Sequence, residues 1–260
     1  FFDNVNHDWL MKFLEHNIAD KNFLRYIKRF LISGYMEDMK YYETEKGTPQ
    51  GGLISPVLAN VYLHFVLDLW VEKYIKPRCK GDIYLVRYAD DFLVMFQYEN
   101  EARLFLKELK ERFEKFGLEL EPTKTRIISF GRYKGTKEKF DFLGFTFYNG
   151  ISRKGKYRIV IKTSKKKKKK KRETIKKWIK DNMHENIIET LDKIKLKLVG
   201  HYNYYGVSGN TKDLMCFYWY VKTTYFRALQ RRGQKHPIPY EKYISYWNAM
   251  KIPMPKICVN

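Results

Sequence analysis

The sequence of 260 residues predicts an α+β fold in which helices and antiparallel strands come first and an all-helical, strongly basic part follows. Short apolar and aromatic runs at strand spacing recur between residues 82 and 161, whereas helical spacing dominates from residue 164 onward. The charge is also uneven. Residues 1–150 hold 23 Lys+Arg and 22 Asp+Glu, but residues 151–260 hold 28 and 7. We therefore expect two domains, residues 1–163 and 164–260.

The individual elements follow from local patterns. Ser55 and Pro56 suit the N-cap and first turn of a helix that reaches about Lys73, and Gly117 suits the end of an amphipathic helix. Gly and Pro punctuate a loop, GTPQGG, at residues 47–52. Helices are predicted at residues 8–17, 21–33, 55–73, 99–116, 165–182, 186–199, 211–231 and 240–249. Strands are predicted in a ribbon at 35–46, in a tight hairpin at 82–87 and 92–97, and at 125–130, 140–148 and 157–161.

Composition narrows the classes of function. A formal net charge of +22 is extreme for this length and indicates a polyanionic partner, either nucleic acid or an anionic membrane surface. No run of 18 apolar residues predicts a membrane span. Cys79, Cys216 and Cys258 are far apart, which supports neither a disulfide framework nor a CxxC metal site and suits reduced thiols inside a cell. The six histidines show no zinc-binding spacing.

One acidic pair stands between two apolar runs, in YLVRYADDFLVMF at residues 84–96. We expect Asp90 and Asp91 to repel each other and to lose solvation there, so the pair needs compensation. A hard divalent cation such as Mg²⁺ takes oxygen ligands and would supply it, and two such ions can drive phosphoryl transfer. A plain polar turn is the alternative, because Asp is common in turns.

Four further motifs accompany YADD in a fixed order: GTPQGGLISPVLANVYLHFVLD (47–68), GLELEPTKTRI (117–127), FDFLGF (140–145) and GHYNYYG (200–206). Together they resemble the reverse transcriptases encoded by group II introns, which also act as splicing maturases. The resemblance implies a reverse transcriptase palm (antiparallel sheet with helices) over residues 1–163. A helical thumb and maturase-specific domain would follow over residues 164–260. It also implies an RNA-directed DNA polymerase that uses two Mg²⁺ ions, or Mn²⁺ in their place.

The start of the sequence departs from that family. There, FFD closes a motif whose catalytic aspartate lies a few residues earlier, whereas here Phe1 is the first residue. We therefore expect a piece that lacks the fingers and the first catalytic aspartate. Such a fragment would have little or no polymerase activity alone, while the intact parent would be active.

The resemblance assigns roles to residues of the first domain. Asp90 would be the direct metal ligand and Asp91 a weaker one, because neighbouring side chains of a hairpin point apart. Lys124 would lie near the pyrophosphate and protonate it, or be an ordinary surface charge. The nucleotide site would comprise Phe2 under the sugar, Gln50, Gly51, Tyr88 and Ala89. Phe142, Leu143 and Gly144 would grip the primer end, although core packing also explains their pattern.

The second domain carries the RNA-binding candidates. A run of lysines begins at residue 165 and leads into an apolar face at Ile175 and Trp178, which favours a basic helix over a disordered tail. Its contacts would be made to phosphates and weaken with salt. Most aromatics of this part suit the core of a helix bundle, but Tyr204 and Tyr205, if exposed, could stack on unpaired bases. The full RNA-binding set is Lys165, Lys166, Lys167, Lys168, Lys169, Lys170, Lys171, Arg172, Tyr204, Tyr205, Arg231 and Arg232.

The expected partners are group II intron RNA, an RNA template with a DNA primer, and deoxynucleoside triphosphates, with no membrane. The expected location is the cytoplasm of a bacterium or a eukaryotic organelle. Two alternatives stay open. One is a maturase that binds intron RNA without polymerase activity, and the other is a different bacterial reverse transcriptase such as a retron enzyme.

Overall fold

The computed structural model describes the chain except residues 1–3, 34, 38–39, 43–46, 48–53, 134, 136, 153, 233–236 and 260. For residues 35–37 and 40–42 it describes the backbone alone. The described part is mixed helix and antiparallel sheet, as the sequence predicted. It divides into two compact units, Phe1–Ile127 and Ile128–Asn260.

The first unit packs helices against a two-stranded hairpin. Its elements are α1 (His7–Glu15), α2 (Lys21–Ile32), β1 (Tyr35–Glu37), β2 (Lys40–Tyr42), α3 (Ser55–Leu63), β3 (Ile83–Tyr88), β4 (Asp91–Phe96) and α4 (Glu99–Lys115). Asn6 and Asp20 cap α1 and α2, each accepting a hydrogen bond from a backbone N–H of the first turn. The core collects the apolar faces of α1, α2, α3 and α4, including the fully buried Leu10, Tyr62 and Leu67.

Helix α3 continues past Leu63 with irregular winding. Two π-helical segments, His64–Asp68 and Val71–Ile75, precede a 3₁₀ turn at Lys76–Arg78. The guanidinium of Arg112, on α4, donates hydrogen bonds to the carbonyl oxygens of Val66 and Phe65 in the first π segment. Burial lowers the pKa of Arg112 from its ordinary value. The two carbonyl oxygens replace hydrogen bonds that the guanidinium would otherwise make to water. π-Helical turns like these are rare and are often found at functional sites.

Strands β3 and β4 form an antiparallel hairpin in which Tyr88 pairs with Asp91 and Ile83 with Phe96. One face packs on the core, as the burial of Ile83 and the core contacts of Phe92 show. The opposite face is exposed and carries Tyr84, Val86, Tyr88 and Met95. The period-2 alternation therefore separates a packed face from an open one.

The second unit joins an antiparallel sheet to four helices. Its elements are β5 (Lys139–Phe142), β6 (Phe145–Ile151), β7 (Tyr157–Thr163), α5 (Lys165–Asp181), α6 (Ile187–Tyr205), α7 (Thr211–Arg232) and α8 (Tyr240–Ala249). The sheet order is β5-β6-β7. Ile194 of α6, Val221 of α7, and Tyr243 and Trp247 of α8 are fully or almost fully buried in the helical core. The indole N–H of Trp247 donates to the Tyr218 hydroxyl at 2.9 Å, which satisfies that polar group inside the core.

Three local predictions were wrong. Residues 125–130 form no strand, although their apolar run suggested one. Ile54, not Ser55, occupies the N-cap of α3, which begins at Ser55 itself. The helix predicted to reach about Lys73 extends to Arg78, with the π-helical windings that no spacing rule anticipated.

The compact units meet at residue 127, whereas charge and composition placed a domain boundary at residue 163. The second unit includes the sheet at residues 139–163 as well as the helices. A contact of Thr163, at the end of β7, helps to explain why the sheet belongs to the same unit as the helices. Its backbone N–H donates to Asn210 Oδ1 at 3.0 Å, which ties the sheet to the start of α7. The division into palm and thumb at residue 163 stays a prediction.

Candidate active site and nucleic-acid interface

The acidic pair lies at the tip of the β3–β4 hairpin. Ala89 and Asp90 form a two-residue turn, and Asp91 is the first residue of β4. Both carboxylates are exposed, so the expected desolvation of this pair was wrong for the chain as described. Within the described residues neither carboxylate has a hydrogen-bond or ion-pair partner, which leaves their oxygens available to a ligand.

The donor set at this tip fits a hard divalent cation. Mg²⁺ characteristically takes one or two carboxylates from a protein and completes its shell with water and substrate phosphates. Asp90 and Asp91 are two such carboxylates, on adjacent residues and uncommitted to any other described side chain. Among the described residues no group of three or more His, Cys, Asp or Glu side chains could hold a metal ion. The described part thus contributes carboxylates in the number that suits a metal shared with a substrate.

The other residues predicted for the nucleotide site are only partly described. Tyr88 is 67% exposed on the open face of the hairpin, next to the turn, and Ala89 has a left-handed φ of 53°. Phe2, Gln50 and Gly51 lie outside the described residues. Lys124 is exposed in a turn that follows α4, where its backbone N–H donates to the Glu121 carbonyl.

The residues predicted to grip a primer form the turn between β5 and β6. Phe142 pairs with Phe145 at the end of the two strands, and Leu143 and Gly144 make the turn with φ of 47° and 79°. The Tyr204 hydroxyl donates to the Leu143 carbonyl at 2.9 Å, and its ring stacks on Phe145 with centroids 5.8 Å apart. Helix α6 therefore holds this turn in place through a side chain of the GHYNYYG segment.

The same segment corrects one prediction. Tyr205 was predicted to stack on RNA bases, but its side chain is 4% exposed and lies against Phe145 and His201 in the core. A Cβ on Gly144 would come 3.2 Å from the Tyr205 hydroxyl, which explains the glycine in the turn. Tyr205 thus packs beneath the turn, while Tyr204, 54% exposed, keeps one accessible ring.

His201, in the same segment, is a core residue. Its ring lies 4.1 Å from that of Phe217, and its Nδ1 is buried with no hydrogen-bond partner among the described residues. Burial, and secondarily the charge of Lys171, lower the pKa of His201 to about 4. The imidazole is therefore neutral at physiological pH.

Helix α5 displays most of its predicted cations to solvent. The Ser164 hydroxyl caps its first turn by accepting from the Lys167 N–H, and Ile175 and Ile179 anchor it in the core. The prediction of a helix rather than a disordered tail is confirmed. Within the lysine run Lys168 differs from its neighbours, because its ammonium donates to Asp213 Oδ1 of α7 at 2.8 Å. Lys168 is therefore committed to holding two helices together.

A basic cleft lies along α5 and α7, with a volume of about 380 Å³. Five of its seven lining side chains are Lys or Arg: Lys165, Lys168, Lys169, Arg172 and Lys176, with Glu173 and Tyr220 completing it. The Arg172 guanidinium lies 5.2 Å from the centre of the Tyr220 ring, a cation–π contact that keeps an aromatic face beside the cations. Arg231 and Arg232 are exposed at the end of α7, where Arg232 donates to the Glu185 carbonyl.

One ion pair near the acidic turn was not predicted from the sequence. Arg87 forms a two-pronged ion pair with Asp68, through Nε at 2.7 Å and Nη2 at 2.6 Å. The signal was present, since Arg87 follows Ile83 and Leu85 at the positions of β3 that face the core. A charged residue in an inward row rarely stays buried unless it has a partner.

Comparison with known proteins identifies the class to which this arrangement belongs. The sequence profile described as "Reverse transcriptase (RNA-dependent DNA polymerase)" matches residues 1–147. The chain therefore belongs to the reverse transcriptase family.

Its relatives include proteins encoded by introns. The chain is 30% identical over 155 residues to the group II intron-encoded protein LtrA of Lactococcus lactis subsp. cremoris, covering 53% of this chain and 26% of that protein. It is 42% identical over 71 residues to a 91 kDa protein in the cob intron of Schizosaccharomyces pombe, covering 27% and 9%. The telomerase reverse transcriptase of Takifugu rubripes is 29% identical over 122 residues, covering 46% and 11%. The predicted kinship with intron-encoded reverse transcriptases is confirmed.

The chain spans about a quarter of the length of LtrA. The activity of that whole protein therefore does not transfer directly to this chain. Reverse transcriptases use divalent metal ions, in keeping with the exposed carboxylates of the hairpin turn. No helix in the described ranges combines the length and apolar character that crossing a membrane requires.

Proposed function

We propose that this chain is the polymerising and RNA-holding part of a group II intron reverse transcriptase, an RNA-directed DNA polymerase that also assists splicing. The observation that carries the proposal is a pair of exposed carboxylates at the tip of a β-hairpin, which have no partner among the described residues. Its substrates would be deoxynucleoside triphosphates and a DNA primer on an RNA template, with intron RNA as partner. It would act in the cytoplasm of a bacterium or in an organelle.

Asp90 and Asp91 would hold Mg²⁺ at the primer end. When bound, the metal ions stabilise the attacking and leaving oxygens of the phosphoryl transfer. Asp90, in the turn itself, is the main ligand. Asp91, whose position is fixed by pairing with Tyr88, is the weaker one. The exposed ring of Tyr88 offers an apolar surface against which a base or sugar can pack.

The β5–β6 turn would bind the primer strand, as proposed for Phe142, Leu143 and Gly144. Two backbone contacts support a fixed geometry there. The Ser164 N–H donates to the Gly144 carbonyl at 2.9 Å, and Tyr204 donates to the Leu143 carbonyl. A turn held from both sides can position a strand end without rearranging, which is what efficient transfer requires. Lys124, which is exposed beside the Glu121 carboxylate, remains our candidate for protonating the departing pyrophosphate.

The cations of α5 and the end of α7 would bind the phosphate backbone of RNA. The cleft between Lys165 and Lys176 gathers five cations, of which Lys168 is paired with Asp213, and the Tyr220 ring lies beside them. Such contacts are independent of sequence and fall steeply with salt. Tyr204, which is exposed in the same unit, can stack on an unpaired base.

A maturase without polymerase activity is the second candidate. The charge of the second unit favours it, since residues 151–260 hold 28 Lys+Arg against 7 Asp+Glu and could hold folded RNA alone. The two candidates differ in what the hairpin tip does, because RNA holding alone needs no metal-binding carboxylate there.

Primer extension by the full-length protein separates them. We expect Asp90→Asn to reduce extension of a DNA primer on an RNA template by at least about a hundredfold, because a metal ligand is lost. RNA affinity, measured by salt-titrated filter binding, should stay within about twofold. Asp82→Asn is the matched control, since Asp82 is another exposed aspartate at the opposite end of the hairpin. No extension by the wild-type protein would favour the maturase candidate, whereas Asp90→Asn extending as well as Asp82→Asn would overturn the assignment of Asp90.

A further inference from the structure

Arg87 is a charged residue in the apolar row by which β3 packs on the first unit. Its side chain is 12% exposed and that of Asp68 is 26% exposed, so the pair is largely withdrawn from water. An ion pair of this kind gains little net stability over apolar residues, although losing one partner is costly. Stability alone therefore gives a weak reason for placing it here.

The guanidinium does more than neutralise Asp68. Nε and Nη2 take the two carboxylate oxygens of Asp68, and this leaves Nη1 to reach the chain at the hairpin tip. Nη1 donates to the Ala89 carbonyl at 3.0 Å and to Asn60 Oδ1 at 2.8 Å. The planar fork thus joins helix α3, its π-helical continuation and the acidic turn through one rigid group.

The carbonyl that Nη1 holds belongs to a strained residue. Ala89 has φ 53°, a left-handed conformation that costs a residue with a Cβ about 1 kcal/mol or more. A hydrogen bond to its carbonyl from a fixed donor favours this conformation over its alternatives. The next peptide leads directly into Asp90, so the orientation of the Ala89 carbonyl sets the direction in which the Asp90 side chain leaves the turn.

The other end of the linkage is also fixed. Asp68 is the last residue of the π-helical segment His64–Asp68, whose carbonyls at Phe65 and Val66 are held by Arg112. The amide of Asn60 is oriented in turn, because its Nδ2 donates to the Pro56 carbonyl at 3.0 Å. Both acceptors of Arg87 on the helix side are therefore held by bonds of their own.

We propose that Arg87, held by Asp68 and Asn60, is a positioning residue that fixes the left-handed Ala89 peptide and thereby the direction of the Asp90 carboxylate. The proposal rests on the proposed function for its catalytic consequence, but the effect on the turn is independent of it. Asp68, which bonds to the guanidinium, lies at the end of the π-helical segment that continues α3.

Arg87→Lys tests the proposal most sharply. Lysine keeps a positive charge for Asp68 but has no planar fork, so it cannot hold Asp68 and the Ala89 carbonyl in one geometry. We expect kcat for nucleotide addition by the full-length protein to fall about tenfold or more, because displaced catalytic groups lose rate steeply. KM for the nucleotide and affinity for RNA should change less than about threefold, since the guanidinium is committed to Asp68, Asn60 and the Ala89 carbonyl.

A second measurement reads the turn without catalysis. In hydrogen exchange, the amides of residues 89–91 should exchange at least about tenfold faster in Arg87→Lys, while those of residues 83–86 and 93–96 stay protected. Asp68→Asn, which keeps an oxygen acceptor but not the charge, should shift the same amides in the same direction. Arg103→Lys is the control, because Arg103 pairs with Glu99 on an exposed helix surface.

The outcomes separate the two proposals. Faster exchange at the turn together with a lower kcat supports the positioning role. Faster exchange in a protein whose wild type adds no nucleotide supports the positioning of the turn and overturns the proposed function. Unchanged exchange and kcat, or a loss of protection spread evenly over both strands and α3, would overturn the positioning role.

Discussion

Two residues with a Cβ and a left-handed backbone occupy the two turns that matter most for the proposed function. Ala89 precedes Asp90, and Leu143 precedes Gly144. In each case a side chain from elsewhere in the same unit donates to the carbonyl of the strained residue: Arg87 to Ala89 and Tyr204 to Leu143. Strain at functional turns persists only where the surroundings hold it, and these donors show how that is done here.

Gly206, at the end of α6, offers a test at the same scale. The chain near the C-terminus crosses it closely. A Cβ there would lie 3.0 Å from the Lys256 carbonyl oxygen and 3.2 Å from the Cys258 nitrogen, and would collide with the Tyr202 carbonyl. Cys258 and Val259 also donate backbone hydrogen bonds to the Gly206 carbonyl at 2.7 and 3.0 Å. Gly206, the second glycine of GHYNYYG, therefore allows two backbone segments to approach each other closely.

We expect Gly206→Ala to lower the free energy of unfolding by about 1–3 kcal/mol, because the added methyl group overpacks this crossing. Gly200→Ala is the control. Gly200 lies in α6 with nothing within 4 Å of an added Cβ, so alanine there should stabilise the helix by about 0.5–1 kcal/mol. Thermal or urea unfolding of both variants measures the difference. A Gly206→Ala protein as stable as Gly200→Ala would contradict the described crossing.

At the scale of elements, α5 shows how a lysine run can form a helix. Isolated like charges would repel along it, but Ser164 caps its start, Ile175 and Ile179 bury its inner face, and Lys168 pairs with Asp213 on α7. The Asp213 side chain is 16% exposed, so the pair is shielded, whereas Lys170 faces solvent. Two lysines of one run thus have different tasks.

Replacing each lysine should separate those tasks. Lys170→Gln should leave the unfolding free energy unchanged, lower RNA affinity and reduce the slope of log K against log salt by about one. Lys168→Gln should instead destabilise the second unit by about 1–3 kcal/mol, because Asp213 would stay shielded without its cation. Urea unfolding and salt-titrated RNA binding provide the two readouts. If both variants changed only RNA binding, the assignment of Lys168 to helix packing would be wrong.

Periodicity in the sequence was a good guide to these elements and a poor guide to particular side chains. Apolar spacing located α2, α5 and the β3–β4 hairpin to within a residue or two, because one face of each is buried. It could not tell that Tyr205 is buried beside an exposed Tyr204, since aromatic residues suit both core and RNA surface. The apolar run at residues 125–130 resembled a strand, but the backbone there does not form one.

For the candidate site, too, the sequence predicted the local features but not the contacts between elements. Motif order located Asp90, Asp91 and the Leu143–Gly144 turn, because these residues are local to recognisable hairpins. The contacts that hold the turns were not foreseeable in this way. Arg87 and Asp68 are 19 residues apart, and Leu143 and Tyr204 are 61 apart. Such pairs depend on how elements pack, which local spacing does not encode.

At the scale of the whole molecule, two kinds of chemistry are assigned to two parts of the chain. The first unit carries the acidic turn in a part of the sequence with nearly balanced charge, while residues 151–260 concentrate the positive charge. The nearly balanced charge of this part of the sequence would suit the proposed site, which would bind both metal cations and a triphosphate. A basic surface suits a long nucleic acid. The match to the reverse transcriptase family covers residues 1–147, which include the acidic turn.

The central claim is that the hairpin tip holds the catalytic metal. Its most direct test is anomalous scattering from Mn²⁺ in crystals of the full-length protein with primer, RNA template and an unreactive nucleotide. We expect a manganese peak bonded to the Asp90 carboxylate and the triphosphate, and no such peak in Asp90→Asn. Manganese bound to the triphosphate with the Asp90 carboxylate turned away from it would contradict the account.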